Sequence, residues 1–221
     1  MMTTKFDVII IGAGAAGMMS AIEAGKRGRK VLLVDHYKKI GEKIRISGGG
    51  RCNFTNIHTN PNKFLSQNPK FVRSALSQYT QNDFINLINK YEIKFHEKKL
   101  GQLFCDHSAQ QIVEMLLKEC ELANVTIIKE FIIKNVTKEN DQYLISTETD
   151  KYSSQSLIIA TGGLSVPKIG ATSFGYEIAK KFEHNIIKTL PALVPLTFNE
   201  KILEMCKELT GLSVEAIVSF N

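Results

Sequence analysis

Apolar positions near the start of the chain fall into two compact runs separated by glycines. Phe6 to Ile11 is short and β-branched, Gly12 to Gly17 is glycine-rich, and Met18 to Lys26 is made of helix formers. A second run, Lys30 to Asp35 (KVLLVD), follows Gly28, which stands where a helix C-cap is expected. Strand, tight turn, helix and strand within about thirty residues predict a βαβ unit with two parallel strands.

From Tyr37 to Asn62 no period is visible, and ISGGGRCNFTN at Ile46 to Asn56 forms the centre of what reads as a long functional loop. Lys70 to Tyr91 predicts two short helices. Another helix is expected from Ser108, where Ser108 and Gln111 have capping-box spacing ahead of Ile112, Met115 and Leu116. Val125–Ile128, Phe131–Val136, Tyr143–Thr147 and Lys151–Ser153 read as strands of a small antiparallel meander with a turn at Glu139–Asp141. Leu157 to Ala160 predicts a buried strand ending in Thr161, Gly162 and Gly163, followed by a helix over Ser173–Glu183. Past Pro191, strands at Leu196–Phe198 and Leu212–Phe220 are expected around a helix at Glu200–Leu209. The order of elements is that of an α/β, Rossmann-type domain with a parallel sheet and a small antiparallel β-meander.

Composition changes this picture little. The chain has 221 residues, 43% of them hydrophobic and 23% charged, with 5 prolines, which is enough apolar material for one large domain or two small ones. No apolar run approaches the roughly 18 residues of a membrane span. Val8 to Ile11 leads straight into glycines rather than into a cleavage site, so a cytoplasmic protein with no membrane association is expected. The net charge of +6 leaves a polyanionic partner open, although only 5 of the 28 basic residues are Arg, the residue that phosphate and base contacts tend to recruit. Cys52, Cys105, Cys120 and Cys206 show no CxxC spacing and read as reduced thiols.

Three motifs carry chemistry. Gly12, Gly14 and Gly17 spell GxGxxG between a strand and a helix, and Asp35 ends the next strand. The first glycine suits the tight turn, the second a close approach to pyrophosphate and the third close packing of helix on strand, while the helix N-terminus adds positive dipole. Asp35 is placed to accept from ribose hydroxyls, and its carboxylate argues against a 2′-phosphate. The second motif offers bare backbone at Gly48, Gly49 and Gly50 beside donors on Ser47, Arg51, Asn53 and Thr55, a set suited to phosphates or a polar ring. Cys52 lies within it, but no His or second Cys within a few residues activates it as a nucleophile. The third, ATGG at Ala160 to Gly163, leaves space at the carboxyl end of a strand. Phe104–His107 gathers metal-ligating types, yet adjacent residues on one turn cannot all face an ion, so no metal is expected. No GxSxG elbow and no GxxxxGK[ST] loop is present, which argues against hydrolase and NTPase chemistry.

Taken together, VIIIGAGAAGMMSAIEAGKRGRKVLLVDH, GEKIRISGGGRCNFTN, GQLFCDHSAQQIVEML and IIATGGLSVPKIGATSFGYEIAK resemble the bacterial flavoproteins described as HI0933-like or YhiN-like, also called the BaiN family. The likeness covers almost the whole chain, and SGGGRCNFTN is its most specific part. It implies FAD, held at the pyrophosphate by the turn Gly12, Ala13, Gly14, Ala15, Ala16 and Gly17, and at the adenosine ribose by Asp35 with its neighbour His36. It further implies Ser47, Gly48, Gly49, Gly50, Arg51, Cys52 and Asn53, with Thr161, Gly162 and Gly163, along the pyrophosphate and flavin, and Ile133 at adenine. Asp35 stands where related flavoproteins more often carry Glu. No catalytic residue is singled out.

The family resemblance also implies a longer protein, continuing past Asn221 through a barrel-like insertion and back to the FAD domain. Residues 1–190 are then an FAD-binding Rossmann-like domain lacking its C-terminal return, and 191–221 the start of a β-rich insertion or substrate domain. The function expected is an FAD-dependent oxidoreductase passing hydride through the flavin, with NAD(P)H as electron donor. Its substrate is expected to hold a carbon–carbon double bond, in a small molecule or in a uridine of ribosomal RNA. An NAD-dependent dehydrogenase, since GxGxxG does not separate NAD from FAD, and a catalytically inactive nucleotide-binding fragment remain the alternatives.

Overall fold

The computed structural model describes residues 3–191, 197–212, 215, 217 and 219. Its elements in chain order begin with β1 (Thr3–Ile11), α1 (Ala15–Lys26) and β2 (Val31–Val34). Next come α2 (Glu42–Ile46), a tight turn at Ser47–Gly50, β3 (Asn53–Asn56), α3 (Arg73–Gln78) and α4 (Gln81–Lys90). β4 (Phe95–Glu97), β5 (Gln102–Cys105), α5 (Gln110–Leu122) and β6 (Thr126–Ile128) follow. β7 (Asn135–Glu139), β8 (Gln142–Ser146), β9 (Lys151–Ile159), α6 (Phe174–Lys181) and α7 (Glu200–Glu208) complete the described elements. Two compact units are distinguished, Met1–His184 and Asn185–Asn221.

The first unit is an α/β fold on a six-stranded sheet of order β6-β2-β1-β9-β8-β7. β6, β2, β1 and β9 run parallel, and β8 and β7 extend the sheet antiparallel. The centre is buried on both faces, which is why Val8–Ile11 of β1 and all of β2 are continuous apolar runs rather than alternating ones. Val8 and Ile10 of β1 with Val31 and Leu33 of β2 face α1 and α5. Ile9, Ile11, Leu32 and Val34 face Phe131, Val136, Ile145 and Ile178 on the other side. Ile9 and Ile10 have no exposed surface, and burying each contributes about 2 kcal/mol.

Several elements differ from the sequence expectation. α1 starts at Ala15, so the glycine turn runs directly into helix. Lys151–Ser153 and Leu157–Ala160, expected as separate strands, are one nine-residue strand, because β9 pairs with β1 from Thr3 to Ile11 and spans the polar stretch between them. Thr126–Ile128 is not in the meander but pairs parallel with β2. The expected strand at Phe131–Val136 begins only at Asn135. A second sheet, β3-β5-β4, arises within and beyond the stretch that shows no period. The Ser108–Gln111 capping box does not form: Ala109 is the N-cap of α5, and Ser108 Oγ accepts from Gln110 N–H at 3.1 Å. A capping box does occur at Thr80 and Asp83, at the start of α4.

In the second unit, α7 matches the helix expected there and is capped by Asn199, whose side chain accepts from Ile202 N–H at 3.2 Å. The strands expected at Leu196–Phe198 and Leu212–Phe220 fall largely outside the described residues, and Thr197 and Phe198 are not in a strand. Among the described residues no helix is long and apolar enough to cross a membrane.

Glu119 on α5, with a side chain 1% exposed, ties three helices together. Its carboxylate meets Lys26 of α1 at 2.8 Å, Lys90 of α4 at 2.6 Å and the Tyr91 hydroxyl at 2.8 Å. Burial alone raises its pKa, but the donors from Lys26, Lys90 and Tyr91 outweigh that and hold it at about 2. A carboxylate whose folded pKa lies below its unfolded value stabilises the fold above the unfolded pKa and loses that contribution as pH falls through the folded one. Glu119→Gln is expected to cost about 2 kcal/mol at neutral pH. In urea titrations the difference from wild type should shrink as pH falls from about 4.5 toward 2, and an unchanged difference at low pH would disprove the assignment.

Candidate functional site

β1, β2 and β9 end side by side, and their carboxyl ends open onto a cavity of about 630 Å³. In open parallel sheets this is where ligands bind. The rim is stitched by backbone: Gly12 N–H donates to Val34 O at 2.8 Å and Ala160 N–H to Ile11 O at 2.8 Å. Gly12 has φ +105, and a Cβ there would lie 2.5 Å from Ala160 O. A Cβ on Gly17 would fall inside the Gly12 carbonyl oxygen. Helix and strands therefore meet at backbone distance, which only glycine allows at these two positions. Gly14 differs. It is extended, at φ −83 and ψ −169, it is the N-cap of α1 without a side-chain cap, and a Cβ there meets nothing within 4 Å. The first N–H groups of a helix have no intrahelical acceptor, and here Ala15 and Ala16 bring theirs to the cavity wall.

Asp35 closes one end of the wall. Its Oδ2 accepts from Ala13 N–H at 2.7 Å and its Oδ1 from Tyr37 N–H at 2.8 Å, leaving further lone pairs on each oxygen. Phe131 N–H donates to Asp35 O at 2.9 Å, which brings Phe131, Ile132 and Ile133 to the cavity. His36 also lines it, and the Gly170 backbone packs close to the His36 ring.

The opposite wall comes from α2 and the loop after β9. Lys43 Nζ donates to Gly163 O at 2.8 Å and to Ser165 Oγ at 3.3 Å, so one lysine ties α2 to the ATGG segment. Lys39 and Lys43 put cations on the cavity, and Glu42, also in the wall, keeps a buried Oε1 without a hydrogen-bond partner, 3.5 Å from Arg45 Nε.

The SGGGRC segment folds differently from a cover of bare backbone. Gly48, Gly49 and Gly50 have φ of 57, 67 and 86, a left-handed coil laid on β5 and the start of α5. Arg51 O accepts from Cys105 N–H and Gly50 O from Ala109 N–H, at 2.9 and 2.8 Å. Ser47, Cys52 and Asn53 line the cavity, whereas Gly48, Gly49, Gly50 and Arg51 do not. Of the other expected residues, Gly12, Gly14, Ala15, Ala16, Asp35, His36, Ile133, Thr161 and Gly162 are in the wall. Ala13 and Gly17 stand behind it as supports, and Gly163 reaches it through Lys43.

Sequence reading missed Lys39, Lys43, Phe54 and Phe84, together with Ile169–Thr172. Lys43 sits in the GEKIRI stretch next to the glycine motif, but its partner lies 120 residues away, and no spacing rule links them. Pairing of β3 with β5 also sets Cys105 near Cys52, a neighbour invisible in sequence. Burial pushes the Cys52 thiol up, against a hydrogen bond with Ser47. Burial likewise raises Cys105 and Cys120 to about 11. Raised pKa and burial together keep these thiols protonated and weakly nucleophilic at neutral pH.

The family model described as HI0933-like protein Rossmann domain matches residues 6–219. A ribosomal RNA dihydrouridine synthase of Escherichia coli (strain K12) is 50% identical over 215 residues, 97% of this chain and 54% of that protein. A 3-dehydro-bile acid delta(4,6)-reductase of Clostridium scindens is 26% identical over 190 residues, 85% of this chain and 46% of that protein. The chain thus spans about half the length of the curated relatives it matches. Among solved structures, the 3-ketosteroid-delta4-(5alpha)-dehydrogenase of Rhodococcus jostii RHA1 has a TM-score of 0.53 at 12% identity, covering 73% of this chain and 46% of that one, a likeness of fold.

Two outcomes check this geometry. Gly17→Ala should lower stability by about 3 kcal/mol or more, while Gly14→Ala changes it by less than about 1 kcal/mol, as read by thermal melting. On brief treatment with iodoacetamide at neutral pH, the partly exposed Cys206 should be alkylated and buried Cys52, Cys105 and Cys120 spared until unfolding; rapid labelling of native Cys52 would restore it as a candidate nucleophile.

Proposed function

The chain belongs to the HI0933-like family, and from that premise we propose that its cavity holds FAD and that the protein is a hydride-transferring oxidoreductase. The observation that carries this reading is the junction of β1 and α1: a glycine turn at the carboxyl ends of parallel strands, a helix N-terminus facing open space at Gly14, and an acid at the end of β2. The residues fit such a ligand. Gly14, Ala15 and Ala16 are placed to donate backbone N–H groups to the pyrophosphate, with Lys39 and Lys43 adding charge. Asp35 retains lone pairs for ribose hydroxyls, and Glu42 Oε1, which faces Arg45 Nε at 3.5 Å but accepts no hydrogen bond, suits another hydroxyl of the ligand. Phe131, Ile132 and Ile133 offer an apolar surface for adenine, and Phe54 and Phe84 one for a flavin ring.

FAD bound there supplies hydride chemistry, which the protein orients and shields from water. NAD(P)H is the proposed electron donor. The proposed reaction is reduction of a carbon–carbon double bond, with uridine in ribosomal RNA as substrate. The 50% identity to a protein named for forming dihydrouridine supports that substrate over the small molecule named for the 26% relative. Residues 1–190 are proposed as the nucleotide-binding domain and 191–221 as the beginning of a substrate-side domain.

The test is the near-ultraviolet and visible absorbance of the purified 221-residue chain, followed by heat release and identification of the nucleotide. Yellow protein releasing FAD is expected. Release of NAD instead would favour the dehydrogenase alternative, and colourless protein that takes up no added FAD would refute the cofactor reading. Gly14→Val should abolish flavin retention with a much smaller loss of melting temperature than Gly17→Ala, since Gly14 lies in the cavity wall and a Cβ there meets no protein atom within 4 Å. Retained flavin in that variant would refute the pyrophosphate site.

A further inference from the structure

From Lys43 to Asn82 the chain carries six Lys and Arg residues and no Asp or Glu, although 22 acids occur elsewhere. The outer part of this stretch, residues 57–79, connects two elements of the cavity wall. It leaves β3 just after Phe54 and returns through α4 at Phe84, two lining residues whose rings stand 6.1 Å apart. Between them Lys63, Phe64, Leu65, Lys70, Phe71 and Arg73 are all exposed, Leu65 to 95% and Phe71 to 77%. No side chain of these three cations is ion-paired or hydrogen-bonded to another described residue.

A turn from the second sheet abuts the start of this segment. Ile57 N–H donates to Gly101 O and Asn56 Nδ2 to Leu100 O, both at 2.9 Å. It adds Lys98 and Leu100, the latter 85% exposed at φ +59, with Glu97 the one acid of that strand and turn.

We propose that residues 57–79 with the Lys98–Gly101 turn form a docking surface for unpaired RNA, feeding a base to the cavity mouth. The proposal rests on the RNA reading above. A segment that carries cations and no acid of its own attracts a polyanion, and unpaired lysines and arginine release counterions when phosphates replace them. Exposed aromatics set among those cations stack bases without regard to sequence. An enzyme that reduces a base must receive it out of the duplex stack, so a surface for unpaired strands next to the cavity suits the chemistry. An anionic membrane would share the charge preference but calls for a sizeable amphipathic helix. α3, RSALSQ, has only six residues and is largely polar.

The experiment measures fluorescence anisotropy of a labelled, uridine-rich single-stranded RNA with the full 221-residue chain across a salt series. Two variants are compared, K63Q/K70Q/R73Q and F64A/F71A, each checked for melting temperature and flavin content. The charge variant should lower the slope of log affinity against log salt by about 2, from three lost phosphate contacts. The aromatic variant should weaken binding about tenfold or more with little change of slope. Flavin content should stay at the wild-type level in both, because neither touches the cavity. Wild-type protein that holds flavin but binds no RNA would overturn the RNA reading and this surface with it. RNA binding that both variants retain in full would overturn the surface alone. Preference for phosphatidylglycerol vesicles over RNA, lost in the variants, would make the patch a membrane contact and likewise overturn the proposal.

Discussion

The approach of α1 to the ends of β1 and β9 at backbone distance is the constraint on which the cavity depends. Gly12, Gly17 and Ala160 have no space for larger groups between them, since a Cβ at either glycine meets the carbonyl oxygen of Gly12 or Ala160. That contact aims the helix N-terminus across the strand ends, and it sets Ala13 where its N–H reaches Asp35. The carboxylate of Asp35 thus acts first as a brace of the glycine turn. Its aim is fixed before any ligand arrives, which lowers the entropy cost of binding.

Around this joint the walls are supplied by segments far apart in the chain. Lys43 links α2 to the loop after β9, and the coil of Gly48 to Gly50 anchors Ser47, Cys52 and Asn53 against β5 and α5. The glycines of that coil serve the fold, since their left-handed backbone turns the chain back toward the cavity. On the far side of α5, Glu119 holds α1 and α4 in place through two lysines and a tyrosine. One face of the helical layer is thereby fixed by charge and the other by apolar packing.

The βαβ start was legible because each local signal agreed with the others: a β-branched run, glycines at turn spacing, helix formers, and an acid after the second strand. The strand ends were misread where the deciding partner was distant. Phe131 to Lys134 has the composition of a strand, yet Phe131 N–H is drawn to Asp35 O instead, and contact with β8 begins only where Lys134 N–H meets Ser146 O ahead of the Asn135 ladder. Ser154 to Ser156 look like an interruption, yet they continue β9 because β1 supplies the ladder partners. Ser108 and Gln111 have capping spacing, but the chain enters α5 through Ala109, which itself hydrogen-bonds to Gly50.

The sequence by itself determined the α/β class, the parallel pair that opens the fold, the place of the nucleotide turn and the two glycine-bearing strand ends at the cavity. These depend on local propensity, period and short motifs, which are properties of neighbouring residues. Tertiary structure decided which glycines face the cavity and which hold a coil, which strands join the meander, and that Lys43, Phe54 and Phe84 complete the wall. It also placed the exposed residues 57–79 between two elements of that wall, Phe54 and Phe84. Those outcomes turn on contacts between residues tens of positions apart, and chain order carries no record of such distances until the backbone has closed them.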